Sequence, residues 1–238
     1  MQLPQIVSPE EWQAAHEALL AKEKAATRAR DALAAERRRQ PMVRFATDHI
    51  FEGAEGEVGL LDLFEGRRQL IVYHFMHTPG APPCTGCCTY SSNLGHPALL
   101  ALRDTTMALV SRKPFAEFDG LGRRLGWRQP RYTSLGTFEQ EAGAAGPGKG
   151  FGLSVFLRDG DDVFRTYFTR GRGVEPLGTS WELLDITPLG RQETWQDSPE
   201  GRPQGQPYGW WRPVDDVASA PPAPSAEADG RSTAGASA

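Results

Sequence analysis

Two short, almost wholly apolar runs, Gln69-Leu-Ile-Val-Tyr-His-Phe-Met76 and Thr105-Thr-Met-Ala-Leu-Val-Ser111, constrain this chain more than any other feature. Runs of that length without polar alternation suit central strands covered on both faces. The stretch between them, Ser91 to Arg103, is helix-compatible, so the order strand, loop, helix, strand predicts a βαβ crossover between parallel strands. All 3 cysteines, Cys84, Cys87 and Cys88, fall in the loop that leaves the first run. Open α/β sheets build their active sites at that carboxyl edge.

The flanking segments complete an α/β reading. Ser8-Pro9-Glu10-Glu11 carries a capping box with proline in the first turn, and nothing breaks a helix from Pro9 to Gln40 before Pro41 ends it. Trp12, Leu19 and Leu33 give that helix only a thin apolar stripe, so it should pack across the body or pair with a second copy. Arg37-Arg38-Arg39 at its end complements the helix dipole. Pro114 to Leu125 reads as another helix stopped at Gly126-Trp127. Leu153 to Leu157 and Val163 to Phe168 flank Arg158-Asp159-Gly160-Asp161 as a hairpin, and Trp181 to Ile186 reads as a last helix. Beyond Val217 there is no large apolar residue up to Ala238 to repay ordering, and the tail from Val217 reads as disordered. The expected division is a helical extension over 1–41, a working domain over 42–216 and a tail over 217–238.

Charge and hydropathy narrow the function classes. With 26 basic against 30 acidic residues and a net charge of -4, the chain has no overall basic field for nucleic acid or an anionic membrane. No apolar run approaches the roughly 20 residues of a spanning helix, and Met1-Gln-Leu-Pro-Gln-Ile6 lacks the parts of a signal peptide. A cytoplasmic setting is the expectation. There, three clustered cysteines point to redox chemistry or metal binding rather than a disulfide framework.

Cys84-Thr-Gly-Cys87 is a C-x-x-C set between a strand and a helix. A helix N-terminus offers unpaired N–H groups and a positive dipole end, which stabilise a thiolate. Cys84 is therefore the expected nucleophile. Cys87, one turn on and less exposed, is the expected resolving thiol, and Cys88 a bystander or an alternative resolver. Arg112 follows the second apolar run and is a candidate third member, placed to favour the thiolate. His74, His77 and His96 with the cysteines raise a zinc alternative, but residues three apart in a strand face opposite ways, and no metal or other cofactor is expected. Trp127, Tyr132 and Trp181 read as core or pocket-wall aromatics. Gly143 to Gly150 resembles a phosphate loop but has Gly150 where serine or threonine is required.

Several further segments carry a family resemblance: Lys22-Glu-Lys-Ala-Ala-Thr-Arg-Ala-Arg-Asp31, Glu36-Arg-Arg-Arg-Gln-Pro41, Leu70 to Met76, Arg103-Asp-Thr-Thr106, Val110-Ser-Arg-Lys-Pro114, Ser154-Val-Phe-Leu157 and Leu184-Asp-Ile-Thr-Pro-Leu-Gly-Arg191. With them, Ser8 to Trp211 resembles a bacterial thioredoxin-like family, the domain of unknown function numbered eight hundred and ninety-nine. The resemblance implies a thioredoxin-like fold related to the peroxiredoxins, with its Cys-x-x-Cys on Cys84 and Cys87. Pro83 stands where the family usually has glycine, and Cys88 where it usually has serine. The activity implied is thiol–disulfide exchange with a protein or small-molecule thiol or disulfide. A thiol peroxidase ranks lower, since Ala81 and His77 replace the threonine and proline of the peroxiredoxin signature. A redox-sensing or binding module, with the first helix docking a partner or second copy, is the non-enzymatic reading.

Overall fold

The computed structural model describes residues 5–145, 150–179, 192–198, 200–201, 204–209 and 211. The helix expected over Trp181 to Ile186, the centre of the glycine-rich segment and the tail from Val217 lie outside the described residues.

Helix α1 (Pro9–Arg37) starts at the expected capping box, in which the Ser8 hydroxyl accepts from the Glu11 N–H and the Glu11 carboxylate from the Ser8 N–H. It buries none of its residues. Its last turn approaches the body, where the Arg37 guanidinium sits 5.3 Å from the centre of the Tyr167 ring.

Eight strands follow among the described residues: β1 (Val43–Phe45), β2 (Ile50–Gly53), β3 (Gly56–Gly59), β4 (Gln69–Phe75), β5 (Thr105–Ser111), β6 (Arg131–Ser134), β7 (Gly152–Asp159) and β8 (Asp162–Thr169). They form one sheet in the order β1-β8-β7-β4-β5-β6-β2-β3. The two apolar runs are the parallel central pair β4 and β5, in register from Gln69 opposite Thr105 to Phe75 opposite Ser111. β7 lies antiparallel on the other side of β4, and β8 pairs with β7 as the predicted hairpin, turning at Gly160 with φ +59°. The β8-β7-β4-β5 order, with a helical crossover between β4 and β5, is the thioredoxin-like arrangement expected from the sequence.

The crossover departs from expectation in one respect. Instead of one helix over Ser91–Arg103 there are two, α2 (Thr85–Ser92) and α3 (Pro97–Ala101). Pro97 explains the break, because it lacks the N–H that a continuing helix needs and instead starts a new one with His96 as its cap. The first helix therefore begins inside the cysteine motif. α4 (Phe115–Arg124) follows β5, and a single turn, α5 (Phe138–Glu141), follows β6.

Strand alternation divides the core between the two sheet faces. Tyr73, Phe75, Met107, Leu109 and Leu153 share one cluster with Cys87, Cys88, Tyr90, Phe118 and Trp127. Leu70, Val72, Ala108, Val110 and Phe156 face the opposite cluster with Phe51, Phe64 and Phe138. Each fully buried phenylalanine there stabilises the fold by about 1.5–3 kcal/mol of transfer free energy. On the cysteine face, Arg131 ties β6 to α4 through a 3.0 Å bond from Nε to the Asp119 carboxylate. Its side chain crosses Gly122, where a Cβ would collide with it.

Candidate active site

The strand that delivers the site stops at Phe75, and a proline-rich loop with Gly80 at φ +75° carries the chain to Cys84. Cys84 is the N-cap of α2, with extended backbone (φ -60°, ψ 115°). Its sulfur accepts the Cys87 N–H at 3.4 Å, the position normally taken by a serine or aspartate oxygen. The thiol is thus both the helix cap and the group nearest the positive end of the dipole.

Cys87 lies one turn along and is only 1% exposed. Its sulfur accepts the Met76 N–H at 3.4 Å and a hydrogen bond from the Tyr73 hydroxyl. The two thiols differ sharply in acidity. Cys84 is lowered to about 6, chiefly by the hydrogen bond from the Cys87 thiol, with help from the Cys87 and Gly86 N–H groups and against partial burial. Burial pushes Cys87 well above the ordinary thiol range, and its bond to Cys84 acts in the same direction. Near pH 7 one sulfur is mostly thiolate and its neighbour a proton-holding thiol. All three cysteines are free.

Both sulfurs open on a cavity of about 450 Å3, lined chiefly by Tyr73, Met76, Tyr90, Phe151, Val174 and Trp211. Tyr73 and Tyr90 stack at 4.4 Å along one wall. Trp211 packs on Gly86 at the edge of the cavity, where a Cβ would come within 2.7 Å of the indole. The segment bearing it is pinned by the buried Glu193 carboxylate, which accepts the Tyr208 N–H at 2.7 Å, while Tyr208 packs on Trp211 at 4.6 Å.

The model of the family described as "Bacterial protein of unknown function (DUF899)" matches residues 1–217. The chain belongs to the DUF899 family. No curated protein matches it. Among solved structures, a proposed thioredoxin reductase from Burkholderia cenocepacia is 14% identical, covering 55% of this chain and 87% of its own at a TM-score of 0.36. The bacterioferritin comigratory protein of Xanthomonas campestris is 17% identical, covering 54% and 86% at 0.34. A cysteine-to-serine variant of Xanthomonas campestris peroxiredoxin Q is 18% identical with the same coverage and score. Likenesses this distant say nothing of activity.

In this DUF899 protein Cys84 and Cys87 come together, whereas Arg112 does not join them. It is exposed beyond β5, lies outside the cavity lining and is not among the groups that shift Cys84, although its charge is felt at His77 and Glu139. Cys88 is fully buried in the core cluster that also holds Cys87 and does not line the cavity. His74 faces the opposite sheet layer, 2.8 Å from the Ser154 hydroxyl. Among the described residues no three His, Cys, Asp or Glu side chains gather as metal ligands, and no helix is long and apolar enough to cross a membrane. Trp127 is core, donating to the Ser92 hydroxyl at 3.0 Å, and Tyr132 packs against the opposite cluster. The second half of the site, from Phe151 to Trp211, went unread in the sequence. The aromatic cluster Tyr208-Gly-Trp-Trp211 was its one visible signal.

Proposed function

We propose that this protein is a thiol–disulfide oxidoreductase in which Cys84 attacks and Cys87 resolves. The observation that carries the reading is the asymmetry of the pair: an ionised, partly exposed Cys84 sulfur that caps a helix and accepts the Cys87 N–H, and a buried, protonated Cys87 sulfur one turn on. The Cys84 thiolate attacks one sulfur of a substrate disulfide, forming a mixed disulfide and releasing a thiolate. Cys87 then loses its proton, attacks Cys84 and expels the second substrate thiol, which takes up that proton. The Met76 N–H and the Tyr73 hydroxyl already face the Cys87 sulfur and support its negative charge as it forms. A dithiol reductant returns the pair to its starting state. A reducing cytoplasm is the compartment this cycle suits.

Peroxide reduction ranks below exchange. Cleaving an O–O bond is helped by donors aimed at the departing oxygen, and no arginine or lysine is among the described residues lining the cavity. The test is trapping: a Cys87→Ser variant should hold a mixed disulfide with a disulfide substrate on Cys84, visible by intact mass. Failure of Cys84 to form any adduct would remove the nucleophile from the scheme.

A further inference from the structure

The cavity in front of Cys84 differs from what a protein disulfide would need. A polypeptide substrate requires an edge for backbone pairing beside the sulfur, whereas here the partly exposed Cys84 is flanked by Trp211 lying against Gly86, with Tyr208 packed behind it. The cavity volume, about 450 Å3, lies within the range of small-molecule sites. Its wall is built from Tyr73, Met76, Tyr90, Phe151, Val174 and Trp211. The one carboxylate among its described lining residues, Glu175, is 3% exposed and has Arg172 Nε at 3.6 Å. A glutathione-like ligand brings two or more carboxylates and would meet apolar surface and Glu175, with no cation from the described lining to receive them. Burying such charges unpaired is costly.

Resting on the exchange reading above, we infer that the substrate is a low-molecular-mass, uncharged disulfide with an apolar substituent, which fills the cavity beneath Trp211 while its sulfur meets Cys84. The apolar group displaces water from the tyrosine and phenylalanine wall, and this gain is selective because a polar or charged substituent forfeits it. One substituent leaves as its thiolate in the first step. The cavity holds the other during the mixed-disulfide stage, until Cys87 closes the enzyme disulfide and releases it as a thiol. The two electrons gained by the substrate are those lost by Cys84 and Cys87.

Rates of oxidation of the fully reduced protein, followed by quenched mass spectrometry, test this with three probes: dibutyl disulfide, glutathione disulfide and insulin. Each rate is divided by that of a free thiolate with the same probe. The expected result is a normalised preference for dibutyl disulfide over glutathione disulfide of about tenfold or more, with insulin slowest. In Trp211→Ala the preference should shrink and the glutathione disulfide rate should rise. Equal normalised rates for all three probes, or a preference unmoved in both Trp211→Ala and Val174→Ser, would overturn the substrate class while leaving exchange intact. No adduct on Cys84 with any probe would overturn the exchange reading itself.

Discussion

The Cys87 N–H points at the Cys84 sulfur from 3.4 Å, while the Cys87 sulfur takes the Met76 N–H at the same distance. Strand β4, its exit and the first turn of α2 are thereby joined through two sulfurs. The Cys87 N–H adds to the acidity that the Cys87 thiol gives the outer sulfur, while burial keeps the inner thiol protonated against the pull of the Met76 N–H.

Replacing Cys84 by serine should abolish disulfide reduction, while Cys87→Ser should allow one attack and then stall. Turnover assays with a disulfide probe and a dithiol reductant separate the two phenotypes.

The acidity of Cys84 also predicts a pH dependence of stability. Its folded value, about 6, is below the ordinary 9.0, so the folded state binds fewer protons between those limits. The stabilisation is complete above the unfolded value and is lost as pH falls through about 6. Denaturant midpoints of the reduced protein, compared with Cys84→Ser, should therefore diverge progressively from pH 6 to pH 9.

Removing the Tyr73 hydroxyl should slow resolution more than attack. Tyr73→Phe deletes one of the donors to the Cys87 sulfur, and a net hydrogen bond of about 1 kcal/mol corresponds to about a fivefold slower closure of the mixed disulfide. Single-turnover mass spectrometry should show the mixed disulfide accumulating while its rate of formation holds.

Gly86→Ala places a methyl group against the Trp211 indole. Unless the indole shifts, overpacking of this kind costs about 1–3 kcal/mol. The loss should be largely relieved in the double variant with Trp211→Ala, a non-additivity measurable by urea denaturation.

Beneath the opposite sheet face, His74 is wholly buried and lowered to about 3, first by burial and then by the charge of Arg165. A neutral histidine of this kind stabilises the fold above 6.5 and loses that contribution as pH falls toward 3. Between pH 7.5 and 4.5 the wild type should lose about 2–3 kcal/mol more stability than His74→Gln, the cost of about two pH units of linkage.

The sequence made the central strands legible because β4 and β5 are buried on both faces and carry unbroken apolar runs. The hairpin turn at Gly160 was legible for a different reason, since its turn chemistry is local. β1, β2, β3 and β6 are only 3 or 4 residues long, too short for periodicity to register. Cys84 and Cys87 could be placed because two intervening residues and a following helix fix their geometry. Arg112 could not, because a residue leaving a strand end can turn along several directions and here it turns to solvent. Trp211 and Val174 reach the cavity through tertiary folding alone, with no spacing rule to link them to residue 84.

The most direct test of the account is the rate of iodoacetamide labelling at each cysteine across pH in the reduced protein, read by peptide mass spectrometry. The account predicts that Cys84 is labelled first with an inflection near 6, and that Cys87 and Cys88 resist labelling in the folded state. An inflection near 9 at Cys84, or labelling of Cys87 ahead of it, would contradict the claim that this helix cap holds an activated thiolate.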